Sequence, residues 1–175
     1  MAVAHITKWL LFAIATPIKQ PHVSSNTLTD PKSMSTIFHL SFPVENITDT
    51  KKFYVEGLGC TAGREGRGSL ILNLGGHQLV AHVVPAADQK QKGIYPRHFG
   101  VTFETEKEWE DFLLTAQQKE MTFYQKPKHR FKGDRIEHRT FFLEDPFQNL
   151  LEFKYYVHPS AVFGELQCSQ VGEAH

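Results

Sequence analysis

The sequence predicts an α+β domain in which two βαβββ modules form a curved mixed sheet around a metal-binding cavity, with the helices on the outer face. Three observations support this fold class. The same order of strand and helix patterns occurs twice, the strands alternate apolar and polar residues, and metal-binding side chains recur on the polar faces of matching strands. The two modules are predicted at about residues 36–84 and 97–157.

The first module begins with a strand and a helix that carry clear end signals. Residues 36–44 (TIFHLSFPV) alternate apolar and polar side chains, which is typical of a half-buried strand. Asn46 is a favourable N-cap for the helix ITDTKKFYVEGL, and Gly57 and Gly59 end it. Gly75-Gly76 predicts a tight hairpin turn. The three strands that complete this module are predicted at about residues 60–65, 68–74 and 77–84.

The second module repeats this order. The strand RHFGVTFE is followed by the helix EKEWEDFLLTAQQKE, which places Trp109, Phe112 and Leu113 on one face. A short strand, MTFYQK, comes next. The last two strands, HRTFFLE and NLLEFKYYV, are joined by a turn at Asp145–Asn149.

Both ends of the chain differ from this domain, which is predicted over residues 34–157. Residues 1–33 contain three lysines and no acidic residue before Asp30. Three interpretations remain open for this N-terminal extension: a disordered segment or over-long gene start, an organelle-targeting peptide, or a secretory signal. Residues 158–175 show no clear period and are predicted to form a C-terminal tail.

Composition excludes several classes of function. The 19 basic residues equal the 19 acidic ones, so no strong positive field exists to hold nucleic acid. The longest apolar run, Trp9–Ala15, is far shorter than the roughly 20 residues of a membrane span. Cys60 and Cys168 fit no C-x-x-C pattern and are too few for a disulfide scaffold. A cytoplasmic location is therefore predicted, or an organelle if residues 1–33 are a targeting peptide.

Four ionisable side chains lie opposite the apolar faces of matching strands. His39 and His98 belong to the opening strands of the two modules, and His82 and Glu152 to the closing strands. Approximate two-fold symmetry would make each pair counterparts, and all four could then meet in the concave space between the modules. Such an arrangement predicts a metal site.

The combination of His39, His98 and Glu152 indicates which metals the site would take. Two imidazoles and one carboxylate with open positions are typical of non-haem iron(II) enzymes, which makes Fe²⁺ the first prediction. With a fourth ligand the site would also take Zn²⁺, Ni²⁺ or Mn²⁺. The alternative is that these are ordinary surface residues, because the chain has ten histidines and a single strand histidine is usually not a ligand.

Several motifs resemble those of the vicinal oxygen chelate superfamily, which includes glyoxalase I, extradiol dioxygenases, and fosfomycin and bleomycin resistance proteins. The similar segments are FHLSFPVENITDTKKFYVEGLGC, GHQLVAH, RHFGVTFE and FLEDPFQNLLEFK, within a match from about Ile37 to Tyr156. More narrowly, HQLVAH, HFG, RFKG and DP-x-x-N-x-L-E-F-K resemble small proteins described as predicted extradiol-type dioxygenases.

The resemblance implies roles for individual residues. His39, His98 and Glu152 match the family's metal ligands. His82 matches either a further ligand, as in glyoxalase I, or an acid/base histidine, as in extradiol dioxygenases. Phe142 departs from the pattern, since extradiol enzymes carry a tyrosine there, and this counts against catechol ring cleavage. Modules often pair between chains in the family, which implies a homodimer, although two modules in one chain could also close a single site unaided.

The function predicted first is a metal-dependent, dioxygenase-like oxidoreductase acting on a small molecule that chelates the metal through adjacent oxygens. The alternatives are a glyoxalase I-type lyase or isomerase and a metal-free, small-molecule-binding resistance module. The polar segment RFKGDRIEHRT is either a solvated loop or a site for an anionic substrate. In the second interpretation Arg130 and Lys132 bind the anion, and Lys132-Gly133 forms a mobile lid.

Overall fold

The computed structural model describes residues 36–85 and 91–171, and the βαβββ order occurs twice within them, as predicted. The chain from Thr36 onward forms one compact unit. Residues 1–33, for which an extension is predicted, lie outside the described residues. No helix of the described part has the length and apolar character needed to cross a membrane.

The first module is a four-stranded sheet with its helical segment after the first strand. Its elements are β1 (His39–Val44), α1 (Ile47–Thr50), β2 (Thr61–Glu65), β3 (Ser69–Leu74) and β4 (His77–Val83). The strand order is β1-β4-β3-β2, with β1 parallel to β4. Asn46 caps α1 as predicted, because its side chain accepts a hydrogen bond from the Asp49 amide at 2.8 Å.

The helix of the first module differs from the prediction in its second half. From Lys51 to Gly57 it continues as a π-helix, in which each hydrogen bond spans one residue more than in an α-helix. The ammonium of Lys119 donates to the Gly57 carbonyl at 3.0 Å and also binds the Glu56 carbonyl. These contacts satisfy backbone acceptors at the end of the widened helix.

The second module has the same topology. Its elements are β5 (Phe99–Phe103), α2 (Glu106–Gln118), β6 (Phe123–Arg130), β7 (His138–Glu144) and β8 (Leu150–Tyr156). The strand order is β5-β8-β7-β6, with β5 parallel to β8. Thr105 and Glu108 form a capping box at the start of α2. Strand β6 is longer than predicted and ends at Arg130, which brings part of the RFKG segment into the sheet.

The hydrophobic core is formed by the apolar faces of the strands and helices of both modules. In the second module, Phe112 stacks on Phe153 with ring centroids 4.5 Å apart. The indole of Trp109 donates to the Phe153 carbonyl at 3.0 Å, so its polar atom is satisfied inside the core. Burial of each such aromatic side chain stabilises the fold by about 2–3 kcal/mol. The opposite faces of the strands carry the polar residues of the predicted site.

A buried polar cluster joins the two modules. The Tyr54 hydroxyl of the π-helix donates to the Asp145 carboxylate at 2.9 Å. The Asn149 amide donates to the same carboxylate and to the Pro43 carbonyl of β1, both at 2.8 Å. Burial raises the pKa of Asp145, and hydrogen bonds from Asn149, Tyr54 and the backbone partly offset that cost. The predicted turn before β8 is thereby tied to the first module.

The segment after β8 contains ordered structure. Residues Pro159–Val162 form a 3₁₀-helix, and Glu165 accepts from the Ser160 hydroxyl at 2.5 Å. Arg135 forms an ion pair with Glu165 at 3.3 Å. The segment therefore contacts the polar turn that leads into β7.

Candidate functional site

His98 immediately precedes β5 and has a fixed orientation. Its Nδ1 lies 2.9 Å from the Ile94 carbonyl oxygen, which can only accept, so Nδ1 carries the donated hydrogen. The Nε2 atom therefore faces Glu152, at 3.3 Å from Oε2. A histidine oriented by a backbone carbonyl in this way is typical of metal-binding and acid/base sites.

Glu152 lies on β8 and uses both carboxylate oxygens. Oε1 accepts a hydrogen bond from the buried Thr140 hydroxyl at 2.7 Å. Oε2 is shared between His98 Nε2 and the ammonium of Lys154, which lies 3.0 Å away. The carboxylate is thus held by three side chains from three different positions of the sheet.

These contacts shift the pKa values of the pair in opposite directions. The hydrogen bond to Glu152 raises the pKa of His98, and this outweighs the effect of partial burial. Burial alone would raise the pKa of Glu152, but His98, Lys154 and Thr140 together lower it to about 2. The carboxylate is therefore ionised at neutral pH, as a metal ligand or an ion-pair partner must be.

Gly100 is required by the close approach of β5 and β8 beside this pair. The register places Gly100 opposite Glu152, and a Cβ atom built on Gly100 would lie 1.7 Å from the Glu152 carbonyl oxygen. Any side chain at this position would push the two strands apart. Prediction from the sequence did not include Gly100, although a glycine in the middle of a strand signals such an approach.

A cavity of about 110 Å³ opens beside His98 and Glu152. Phe142 forms an apolar wall, with its ring 5.3 Å from the His98 ring and nearly perpendicular to it. The polar walls are contributed by Gln125, Arg130 and Lys154. Lys154 and Gln125 were not predicted as site residues. The signal for Lys154 is its position two residues after Glu152, which places it on the same face of β8.

His39 lies on the exposed start of β1, in the other sheet, where its Nδ1 donates to the Gln78 side-chain oxygen at 2.7 Å. Among residues 36–85 and 91–171, no three His, Cys, Asp or Glu side chains are grouped as a metal-binding set. The structure therefore brings together two of the predicted ligands, His98 and Glu152, and does not bring His39 to them within one chain.

The strand register corrects the expected correspondence between His82 and Glu152. His39 and His98 each lie seven residues before the N-cap of the following helix, so they are true counterparts. Ser41 pairs with Val80 in the first sheet as Gly100 pairs with Glu152 in the second. Val80 is therefore the counterpart of Glu152. The exposed His82 is the counterpart of Lys154, two residues farther along the strand.

The two residues predicted to bind an anion occupy different environments. Arg130 ends β6 and lines the cavity. Lys132 lies exposed in the turn that follows. Within that turn the Gly133 amide donates to Glu137 at 2.7 Å, and Glu137 also pairs with His129 at 2.5 Å. Movement of a lid at Lys132-Gly133 would require these contacts either to break or to move together with the lid.

Comparison with known proteins identifies the family. Residues 36–153 match the family model described as the glyoxalase/bleomycin resistance protein/dioxygenase superfamily. The chain belongs to this superfamily. The resemblance predicted from the motifs is thereby confirmed, and so is the paired-module fold of this superfamily. No curated protein matches the chain.

Among solved structures, a member of the same superfamily from Alicyclobacillus acidocaldarius is 38% identical, with a TM-score of 0.69, and covers 73% of this chain and 96% of its own. FosX, a fosfomycin resistance protein from Listeria monocytogenes, shares the fold at 12% identity and a TM-score of 0.57. The match covers 73% of this chain and 98% of FosX. Lactoylglutathione lyase from Agrobacterium tumefaciens shares the fold at 14% identity and a TM-score of 0.55. The match covers 75% of this chain and 98% of the lyase.

Members of the superfamily commonly bind a divalent metal, and the donor atoms of the second module fit one. Two ligands bound at about 2.1 Å to one ion lie roughly 3.4 Å apart at a tetrahedral angle. The separation of His98 Nε2 and Glu152 Oε2, 3.3 Å, is close to this value. The Ile94 carbonyl and the Thr140 hydroxyl hold the outer atoms of the two ligands. One chain thus brings together two of the three predicted ligands.

Proposed function

We propose that the protein is a divalent-metal-dependent enzyme that acts on a small substrate through two adjacent oxygens, with dioxygenation as the first reaction class. The observation that carries the proposal is the pair of His98 Nε2 and Glu152 Oε2, which lie 3.3 Å apart with their outer atoms held in place. Fe²⁺ is the first metal proposed, because the predicted ligand set of His39, His98 and Glu152 is the one favoured by non-haem iron.

The residues of the site would divide the work as follows. His98 would present a neutral Nε2, since the Ile94 carbonyl holds the proton on Nδ1. Thr140 would keep the Glu152 carboxylate turned toward the same point. When bound, the ion supplies Lewis-acid polarisation of two adjacent substrate oxygens. Phe142 would exclude water from one side of the substrate.

We propose that a second copy of the chain completes the site. His39 and His82 lie on the first sheet, and the strand register places them on one face with Val80. That face could cover the His98–Glu152 pair of a partner in a symmetric homodimer, whose single interface would then contain two complete, symmetry-related sites. His39 would supply the third ligand, and His82 would act as acid/base or as a fourth ligand.

Two other functions each have one observation in their favour. A lyase or isomerase of glyoxalase type, using Zn²⁺ or Ni²⁺, is favoured by Phe142, because the cavity wall lacks the hydroxyl expected for extradiol ring cleavage. A metal-free binding module is favoured by Lys154, whose ammonium already neutralises Glu152 at 3.0 Å. Arg130 supports an anionic substrate in every case, and the role of Lys132 stays a prediction.

Elemental analysis of the full chain, purified without added metal, tests the metal dependence. We expect about one divalent ion per chain in the wild type and a loss of at least tenfold in metal affinity for Glu152→Gln and His98→Ala. Bound iron with oxygen consumption on a catechol-like substrate would support the dioxygenase. Anaerobic activation by Ni²⁺ or Zn²⁺ would support the lyase. If the wild type takes up none of these metals, the metal-free binding module is the remaining function.

Mixing two inactive variants tests the shared site. His39→Ala and His98→Ala chains each lack one ligand, but a mixed dimer restores one complete set at one of its two sites. Random exchange makes half the dimers mixed, so metal content should recover to about one quarter of the wild-type value. No recovery, together with a monomeric mass in solution, would contradict completion by a second copy.

A further inference from the structure

The cavity beside His98 and Glu152 has more donor groups than the metal-binding pair requires. Its walls carry two basic side chains, Arg130 and Lys154, against one acidic side chain, Glu152. The amide nitrogen of Gln125 is also buried there and has no hydrogen-bond partner among the described residues. A buried donor without a partner is destabilising, and an oxygen of a ligand would satisfy it.

Lys154 depends on Glu152 for its ion pair, at 3.0 Å. Its side chain is largely covered, being 19% exposed, and its ammonium also lies 5.5 Å from the Tyr156 ring. A divalent ion bound to Glu152 would repel the Lys154 ammonium. It would also neutralise the carboxylate charge with which that ammonium now pairs. Lys154 would then need another oxyanion within reach, and the cavity is where one could be placed.

The size and shape of the cavity limit what can enter. At about 110 Å³ it is smaller than the roughly 150 Å³ of an apolar cavity that accommodates benzene, so it would hold one small group of a substrate. Phe142 and Tyr95 provide apolar walls next to the donors. The cavity therefore suits a negatively charged group on a small apolar body.

We propose that Lys154, Arg130 and Gln125 form a carboxylate-binding subsite, so that the substrate is a small acid that also carries the two adjacent oxygens bound by the metal. This inference rests on the proposed function for the adjacent oxygens and for the release of Lys154 from Glu152, and on the cavity walls for the position of the carboxylate. The ammonium of Lys154 suits the charge of a carboxylate, and the planar guanidinium of Arg130 suits its geometry.

Binding of two matched probes tests the subsite without any turnover. Catechol and 3,4-dihydroxybenzoate share two adjacent hydroxyls and differ by one carboxylate. Affinities would be measured by anaerobic titration calorimetry on the full chain, with and without Zn²⁺. We expect the wild type to bind 3,4-dihydroxybenzoate about tenfold more tightly than catechol, because of the charge-assisted hydrogen bonds to the carboxylate. Equal affinity for the two probes, or no binding of either, would overturn the inference.

Variants assign this preference to the residues named. Lys154→Met and Arg130→Met should each reduce it to about threefold or less, and Lys154→Arg should retain most of it. Lys126→Met is the matched control, because Lys126 lies exposed on the same strand as Arg130. An unchanged preference in both the Lys154→Met and Arg130→Met variants would overturn the inference.

The outcome with Zn²⁺ separates the subsite from the proposed function. If Zn²⁺ tightens neither probe while the carboxylate preference persists, the metal-dependent function fails and the subsite stands. If Zn²⁺ tightens both probes equally and neither is preferred, the subsite fails and the metal-dependent function stands.

Discussion

The two modules share a topology but differ sharply on the faces that carry the predicted site. The second sheet has a compact set of contacts in which Glu152 binds His98, Thr140 and Lys154. The corresponding positions of the first sheet hold Val80, Ser69 and His82, and His39 forms a hydrogen bond with Gln78 on the neighbouring strand. The same fold therefore keeps its core pattern in both modules, although the charged cluster around Glu152 belongs to the second module.

The largest expected effect concerns the close contact that the second module needs and the first does not. Gly100→Ala should lower the free energy of unfolding by about 3 kcal/mol, because its Cβ would collide with the Glu152 backbone. The counterpart Ser41 already carries a side chain, so Ser41→Ala should change it by less than about 0.5 kcal/mol. Urea unfolding monitored by circular dichroism measures both values.

A second glycine controls for the general cost of replacing glycine. A Cβ on Gly68 would meet nothing within 4 Å, so Gly68→Ala should be close to neutral. Similar losses for the Gly100 and Gly68 variants would show that the close approach of β5 and β8 has no special importance.

The next effect concerns support of the carboxylate. Thr140→Val keeps the shape of the side chain but removes the hydroxyl that donates to Glu152, and should cost about 2 kcal/mol of stability and roughly tenfold in metal affinity. Ser69→Ala at the matching place in the first module should cost less than about 0.5 kcal/mol. Thermal unfolding and metal titration measure the two quantities. Equal losses of stability and of metal affinity in the Thr140 and Ser69 variants would show that the Thr140 hydroxyl has no special role in supporting Glu152.

A smaller effect should arise where the modules meet. Tyr54→Phe removes the hydroxyl that donates to the buried Asp145 carboxylate and should cost about 1–2 kcal/mol. Because both modules still share one hydrophobic core, they should unfold in one transition at a lower denaturant concentration. Separate transitions for fluorescence and circular dichroism would indicate that the modules unfold independently.

The smallest difference concerns the two free thiols, one inside the first module and one beyond the second. Burial raises the pKa of Cys60 to about 11, so almost no thiolate forms there at pH 8. A thiol reagent at that pH should label the partly exposed Cys168 and leave Cys60 unlabelled until the protein unfolds. Mass spectrometry of the labelled peptides identifies the sites, and rapid labelling of native Cys60 would contradict its burial.

Much of the local structure could be predicted from the sequence. The cap at Asn46 and the alternation of RHFGVTFE both follow from short-range chemistry. The π-helix after Lys51 could not be predicted, since a wider turn changes the apolar spacing too little to be recognised. The length of β6 was also missed, because Lys126–Arg130 is polar and is held in the sheet by pairing with β7.

The candidate site divides in the same way. Sequence alone determined that His39 and Glu152 lie on the polar faces of their strands, and that His98 lies in line with the polar face of β5, because a strand turns successive side chains to opposite sides. Tertiary structure decided which residues meet, since the register of two strands depends on packing across the whole sheet. In the folded chain Glu152 contacts His98 and forms an ion pair with Lys154, whereas His39 lies on the other sheet.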